Sequence, residues 1–260
     1  RRAFQFYYER NLQKYMYAET YQFIDYLLRD NQPLRELFEA DYSFINEPLA
    51  ELYGYDDIDG LQLRKVKAQD ANRRGLLGHA SILTVTANGI DTSPVIRGVW
   101  MLENIFGTPP SPPPPDVQPF DPDTRGAVSL RDQLEKHRSN ATCYECHRKI
   151  DPHGFALETF DPIGRWRDSY KDKLPIDSAG KLADGSTFNS ISEYRQVLLT
   201  REDQITRAIA SKLLSLGSGR RMEAGDRREL DRIVSLQQSE GQGFKNLVES
   251  LVVSDIFTRK

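Results

Sequence analysis

The chain has 260 residues, 38% of them hydrophobic and 28% charged, with a formal net charge of −3, a pI near 5.9 and a mean hydropathy of −0.59. That length accommodates one large domain or two modest ones. The slight acidic balance gives no general electrostatic footprint for nucleic acid or an anionic membrane, and no run of roughly 18 apolar residues is present to span a bilayer. The chain opens on Arg1-Arg2-Ala3-Phe4, with neither an initiator methionine nor an apolar leader, and reads as a portion of a longer or processed protein.

Residues 1–30 are predicted to be helical. Leu12, Tyr15, Met16, Glu19, Phe23, Tyr26 and Leu27 fall at i, i+3, i+4 and i+7 spacings with charges between them. The many aromatics here, from Phe4 to Tyr26, read as a stripe packed into a core, with an electron path or a carbohydrate platform as the functional alternatives. Pro33 begins a second short helix and Asn46-Glu47-Pro48 a third, with Gly54 as its C-cap. A short strand is expected near 61–66. From Arg73 to Thr86 periodicity does not separate helix from strand. Thr92-Ser93-Pro94 signals an N-cap, and residues 95–106 read as a buried helix containing Trp100 and Met101.

The composition then changes. Thr108 is followed by six prolines within the next seven residues, an extended strap or spacer placed at 107–127. Ser129 is a candidate N-cap for a helix over 130–138. The stretch 150–167, with two Asp-Pro dipeptides and two glycines, reads as a loop carrying large apolar groups of the kind that wrap a porphyrin. A small β-hairpin is expected at 175–188, with Gly180 and Gly185 in turns. Four helices follow, at 192–200, 203–216, 226–238 and 244–254, with Asp226 capping the third.

Between the strap and the loop stands Cys143-Tyr144-Glu145-Cys146-His147, which contains the only two cysteines of the chain. Two thiols at this spacing followed at once by histidine form the attachment signature of a c-type haem: each sulfur adds to one vinyl group, and the histidine places an imidazole nitrogen on the iron. A redox dithiol or half of a zinc site are the competing readings. His147 is the expected proximal ligand. Arg165, Trp166 and Arg167 are candidates to hold the haem propionates, with Arg138 and Arg148 as further options. For the sixth iron position the candidates are His137, Met222, Met101, His153, His79 or none, and a distal acid or base would come from His79, His153 or Glu158.

Three blocks of the chain resemble planctomycete-type cytochrome c proteins, large exported bacterial proteins assembled from several domains. The first runs from Ala18-Glu19-Thr20 through Asp41-Tyr42-Ser43-Phe44-Ile45-Asn46-Glu47-Pro48 to Tyr53-Gly54. The second joins Arg74-Gly75-Leu76-Leu77, Thr92-Ser93-Pro94, Arg97-Gly98, the proline run and the stretch from His137-Arg138 to Trp166-Arg167. The third extends from Lys212-Leu213-Leu214 and Gly219-Arg220 to Ser254-Asp255-Ile256-Phe257. The resemblance implies covalent haem at Cys143 and Cys146, export, and upstream domains that often carry another haem. His137-Arg138 matches the pattern of these proteins, whereas His79 and His153 depart from it.

The expected fold is mainly α. It comprises an N-terminal helical module over 1–106, the proline-rich strap, a cytochrome-c-like haem-binding module over 128–200 and a C-terminal helical segment over 201–260. The expected function is periplasmic or otherwise extracytoplasmic electron transfer, with other redox modules or cytochromes as partners and one covalent haem c. A haem enzyme of peroxidase or oxidase type, the haem portion of an exported dehydrogenase, and a haem-stabilised structural module are the alternatives.

Overall fold

The computed structural model describes residues 4–88, 90–112, 131, 141–170, 173–239, 241 and 243–258. The fold is mainly α, with twelve α-helices among the described residues. The predicted first helix is two: α1 (Gln5–Glu9) and α2 (Leu12–Arg29), parted by Asn11 in the left-handed region at φ 50°. Helix α2 buries Leu12, Met16, Glu19, Phe23 and Leu27, a single stripe at helical spacing. Not all its aromatics join that stripe. Tyr17 and Tyr21 face solvent, stacked on each other, as does Tyr8.

Helix α3 (Glu36–Glu39) leads into β1 (Tyr42–Ile45), α4 (Glu47–Tyr53) and β2 (Arg64–Lys67). Strands β1 and β2 pair antiparallel, with Tyr42 opposite Lys67 and Ile45 opposite Arg64. The Lys65 ammonium lies over the rings of Tyr26 and Tyr42, which fastens the ribbon to α2. Strand β1 was not expected from the sequence, because Tyr-Ser-Phe-Ile is too short to show a period. Asn46 caps α4 and Gly54, at φ 72°, ends it, as expected. The ambiguous stretch from 73 to 86 begins at the end of one 3₁₀ turn (Ala71–Arg73) and resolves into a second (Leu76–Gly78) and α5 (Ala80–Val85).

Ser93 accepts from the N–H of Ile96 and starts α6 (Pro94–Asn104). The predicted cap at Ser129 and most of the helix at 130–138 lie outside the described residues. The next helix, α7 (Ala141–Phe155), contains the cysteine motif and runs on through Pro152 and Gly154. The loop expected from residue 150 therefore begins only after Phe155. Of its apolar groups, Leu157 and Phe160 are buried in the main core.

Helices α6 and α7 cross antiparallel at backbone distance. A Cβ on Gly98 would fall inside the van der Waals shell of the Ile150 carbonyl oxygen, and one on Gly154 inside that of Pro94. Arg97, beside Gly98, is fully buried and meets the chain as it leaves α7. Its Nη1 donates to the carbonyls of Leu157 (2.6 Å) and Phe160 (3.0 Å) and to Glu158 Oε1 (2.8 Å), itself fully buried. Leaving either ion of such a pair alone costs about 3–5 kcal/mol. Arg73 and Arg195 make similar internal clasps. Arg73 donates to Gly164 O (2.6 Å) from between the Tyr53 and Phe160 rings, and Arg195 donates to the carbonyls of Ala71 and Asn72.

The hairpin forms from β3 (Gly180–Lys181) and β4 (Thr187–Phe188). Gly185 occupies its turn at φ 95°. Gly180 does not sit in a turn: it is a strand residue opposite Phe188, whose ring takes the space a Cβ would need. Helices α8 (Ile191–Leu199), α9 (Glu202–Ser218), α10 (Arg227–Ser239) and α11 (Phe244–Val252) fall within a few residues of expectation, followed by α12 (Asp255–Thr258). Asp226, expected to cap α10, instead accepts from the N–H of Glu223 in the preceding 3₁₀ turn and pairs with Arg220. One continuous core takes Phe23 and Leu27 of α2, Met101 of α6, Leu157, Tyr194 of α8, Leu214 of α9 and Leu247 of α11. No helix of the described residues is long and apolar enough to cross a membrane.

The α6–α7 contact should tolerate almost no added bulk. Gly98→Ala or Gly154→Ala is expected to lower unfolding free energy by about 3 kcal/mol, the upper end for overpacking. Gly225→Ala, where a Cβ meets nothing within 4 Å, should stay within about 0.5 kcal/mol of the parent. Denaturant unfolding of the three variants checks this, and equal effects would show that the two helices readily move apart.

Candidate functional site

Helix α7 divides at His147. Its second half is clamped on α6 by Ile150 and Gly154, while its first half presents Cys143 and Cys146, one turn apart, to the surface. Cys143 is half-buried, Cys146 is exposed and both are free thiols. Tyr144, between them, is 48% exposed. The antiparallel register set by Gly98 and Gly154 carries the C-terminal half of α6 alongside the motif.

His147 lies one turn after Cys143 with its side chain 16% exposed, and Asp151 lies one turn further with its side chain fully buried. The two meet at i, i+4: His147 Nδ1 is 3.0 Å and 3.1 Å from the two carboxylate oxygens. A carboxylate in its ionised form can only accept; facing one, Nδ1 carries the proton and the lone pair falls on Nε2. The donor set is thus two thiols one helical turn apart, one half-buried and one exposed, and an imidazole held at Nδ1 by a carboxylate. That set suits a haem joined through both sulfurs and ligated by Nε2. Among the described residues no three His, Cys, Asp or Glu side chains are grouped to hold a metal ion by themselves.

The three residues offered for the propionates diverge. The Arg165 guanidinium lies over the Phe6 ring of α1, 4.9 Å from its centroid. The Trp166 indole N–H donates to Asp168 (3.1 Å), with its ring edge-on to Phe160. Arg167 donates to the Glu158 carbonyl (3.0 Å) and to Thr92 Oγ1 (2.6 Å), and its Nη2 pairs with Glu158 at 3.2 Å. Arg148 pairs with Glu145 in the motif itself. His137 and Arg138 lie outside the described residues.

The other iron-ligand candidates have partners of a different kind. His153 is buried, its Nδ1 is 2.6 Å from the Tyr194 hydroxyl and its ring lies against Phe106. Burial, with a smaller contribution from Arg201, lowers its pKa to about 4. His79 is buried in the N-terminal part, with Nδ1 3.0 Å from Thr20 Oγ1 and Nε2 3.2 Å from Ser43 Oγ. Burial, then the nearby Arg73 charge, lowers its pKa to about 3. Met101 is fully buried core, and Met222 is packed against that core at the edge of a cleft of about 730 Å³ that also holds Phe106 and Pro109. Glu158, offered as a distal acid, is committed to Arg97, Arg167, Thr92 (2.6 Å) and Tyr170 (3.2 Å).

Two acidic residues that matter had no place among the expected site residues. Asp151 had a readable signal, its i+4 offset from His147 on a helix. Glu19 had another, its position inside the apolar stripe of α2. Fully buried, Glu19 accepts from Ser43 Oγ (2.7 Å) and Tyr53 OH (2.5 Å), and Ser43 links it to His79. Burial outweighs these hydrogen bonds and raises its pKa to about 7.

Three family models match the chain. Protein of unknown function (DUF1592) covers residues 1–55, Protein of unknown function (DUF1588) residues 73–170 and Protein of unknown function (DUF1585) residues 184–257. All three are domains of planctomycete-type cytochrome c proteins. The cysteine motif, His147, Asp151 and the Arg97–Glu158 pair fall in the second of them. No curated protein and no solved structure matches the chain.

Glu19 gives the fold a measurable pH signature. Its folded pKa of about 7 lies above the ordinary 4.5, so the folded state holds the proton more tightly than the unfolded chain. Stability is therefore lost as pH rises from 4.5 to 7, by about 3 kcal/mol at 1.36 kcal/mol per pKa unit. His79 and His153 act in the opposite sense, losing stability as pH falls below 6.5. Glu19→Gln isolates the first effect: the stability of the parent relative to this variant should fall between pH 4.5 and pH 8. Denaturant curves at several pH values read it, and a constant difference would show that Glu19 is not held protonated.

Proposed function

We propose that this chain carries one haem c, covalently attached through Cys143 and Cys146 with His147 Nε2 as proximal ligand, and passes single electrons between other redox modules or cytochromes outside the cytoplasmic membrane. The observation that supports this most directly is the His147–Asp151 pair beside two free, accessible thiols, all on one helix. A buried carboxylate on one imidazole nitrogen is the usual outer-shell arrangement of a metal-binding histidine.

When bound, the haem supplies a one-electron couple. The protein residues supply the rest. Asp151 holds the tautomer that leaves Nε2 unprotonated. The second half of α7, packed on α6, keeps the ring from swinging. The exposure of Cys146 puts the point of attachment at the surface, where a partner can exchange an electron without a channel. An enzymatic reading needs a distal acid or base, and the three residues offered for it, His79, His153 and Glu158, all point into internal hydrogen bonds instead. Export belongs to the same reading, because bacteria attach haem c beyond the cytoplasmic membrane.

The test is to produce the chain together with a haem c maturation system and take oxidised, reduced and pyridine haemochrome spectra. One covalent haem per chain is expected, retained on a denaturing gel and lost in the Cys143→Ser/Cys146→Ser double variant. Two titratable thiols and no retained haem in the matured protein would sink the proposal. A reduced haem that binds carbon monoxide or cyanide readily and turns over peroxide would replace electron transfer with the enzymatic reading.

A further inference from the structure

We infer that Asp151 is a positioning residue for His147 and that its negative charge, rather than the hydrogen bond alone, holds the potential of the attached haem low. The inference rests on the haem reading above and adds to it a residue outside the Cys-x-x-Cys-His signature.

The geometry carries it. The carboxylate is fully buried, while the imidazole it holds keeps part of its surface open. Both oxygens lie within hydrogen-bond distance of the same ring nitrogen, at 3.0 Å and 3.1 Å. Asp151 itself cannot drift. It stands between Ile150, whose carbonyl packs on Gly98, and Pro152, whose ring fixes φ, with Gly154 pressed on Pro94 just beyond. The carboxylate is therefore a fixed part of the framework, and His147 is the part it orients.

A hydrogen bond from a ring N–H to a carboxylate raises the basicity of the opposite nitrogen. A more basic Nε2 donates more electron density to iron and favours the ferric state. The low dielectric around a fully buried carboxylate makes that influence stronger than it would be in water. A backbone carbonyl or an amide in the same place would orient the ring equally well but would not supply the charge. Orientation and charge are thus separable by one substitution.

Asp151→Asn keeps the volume and leaves an amide oxygen to accept from Nδ1–H, but removes the charge. In the matured holoprotein the expected result is an unchanged pyridine haemochrome, one haem per chain, and a ferric-to-ferrous ratio at fixed potential shifted at least tenfold toward ferrous. That shift is about 59 mV for a one-electron couple. Asp151→Glu, which restores the charge, should return the potential toward that of the parent. An Asn variant that keeps its haem and titrates at the parent potential overturns the inference and leaves the haem reading intact. A parent protein that takes up no haem fails the haem reading itself. Should Asp151→Asn not mature, the parent holoprotein decides: His147 Nδ1–H must exchange slowly with solvent in the ferrous state, and exchange at the rate of an exposed imidazole overturns the inference.

Discussion

The contact between α6 and α7 is closer than any side chain permits, and Gly98 and Gly154 make it possible. Much of the remaining order follows from that approach. Two helices at backbone distance exclude water between them, so the side chain next to each glycine must resolve its own polarity internally. Arg97 does so with its two terminal nitrogens, reaching the chain that leaves α7, where turn carbonyls are without helical partners and Glu158 supplies the opposite charge. Arg167 and Thr92 then close around the same carboxylate. Glycine contact, buried ion pair and turn form one mechanical unit, and its product is a fixed orientation of α7.

Helix α7 uses that fixed orientation unevenly. From Ile150 onward its residues are consumed by packing, and Pro152 removes one helical hydrogen bond there without ending the helix, because tertiary contacts hold both sides of it. Before His147 the residues are largely exposed. The boundary between the two regimes runs through the His147–Asp151 pair, with the histidine on the open side and the carboxylate on the buried one. The exposed turn is thereby tied to a rigid framework through the contact of His147 with Asp151.

The parts of this arrangement that repeat with a clear period were readable beforehand. The stripe of α2 and the four C-terminal helices are amphipathic over many residues, and tertiary packing agreed with the pattern. The parts that depend on who sits opposite were not. Gly154 and Pro152 resemble turn formers in one dimension, yet Gly154 is there because the Pro94 backbone needs the space of its Cβ. Gly180 looks like a turn residue and is a strand residue beneath the Phe188 ring. Arg165, Trp166 and Arg167 are consecutive, and consecutive residues on an extended segment point to different sides, so three donors that look like one clamp reach Phe6, Asp168 and Glu158 separately.

The histidines show what separates a structural site from a chemical one. His79 and His153 are buried with hydroxyl partners, Thr20 and Ser43 for the first and Tyr194 for the second. A hydroxyl can donate or accept, so it satisfies a neutral imidazole in either tautomer and leaves it with no charge to share. Such a histidine is a core residue with polar atoms, and its lowered pKa follows from burial. His147 has instead a carboxylate as partner, and its side chain keeps part of its surface open. A carboxylate in its ionised form fixes the proton on the ring nitrogen it faces and raises the donor strength of the other. In a helix that also offers two unpaired thiols within the preceding turn, the partner of the imidazole is what separates His147 from the other two, since all three lie near apolar residues and all three make a hydrogen bond.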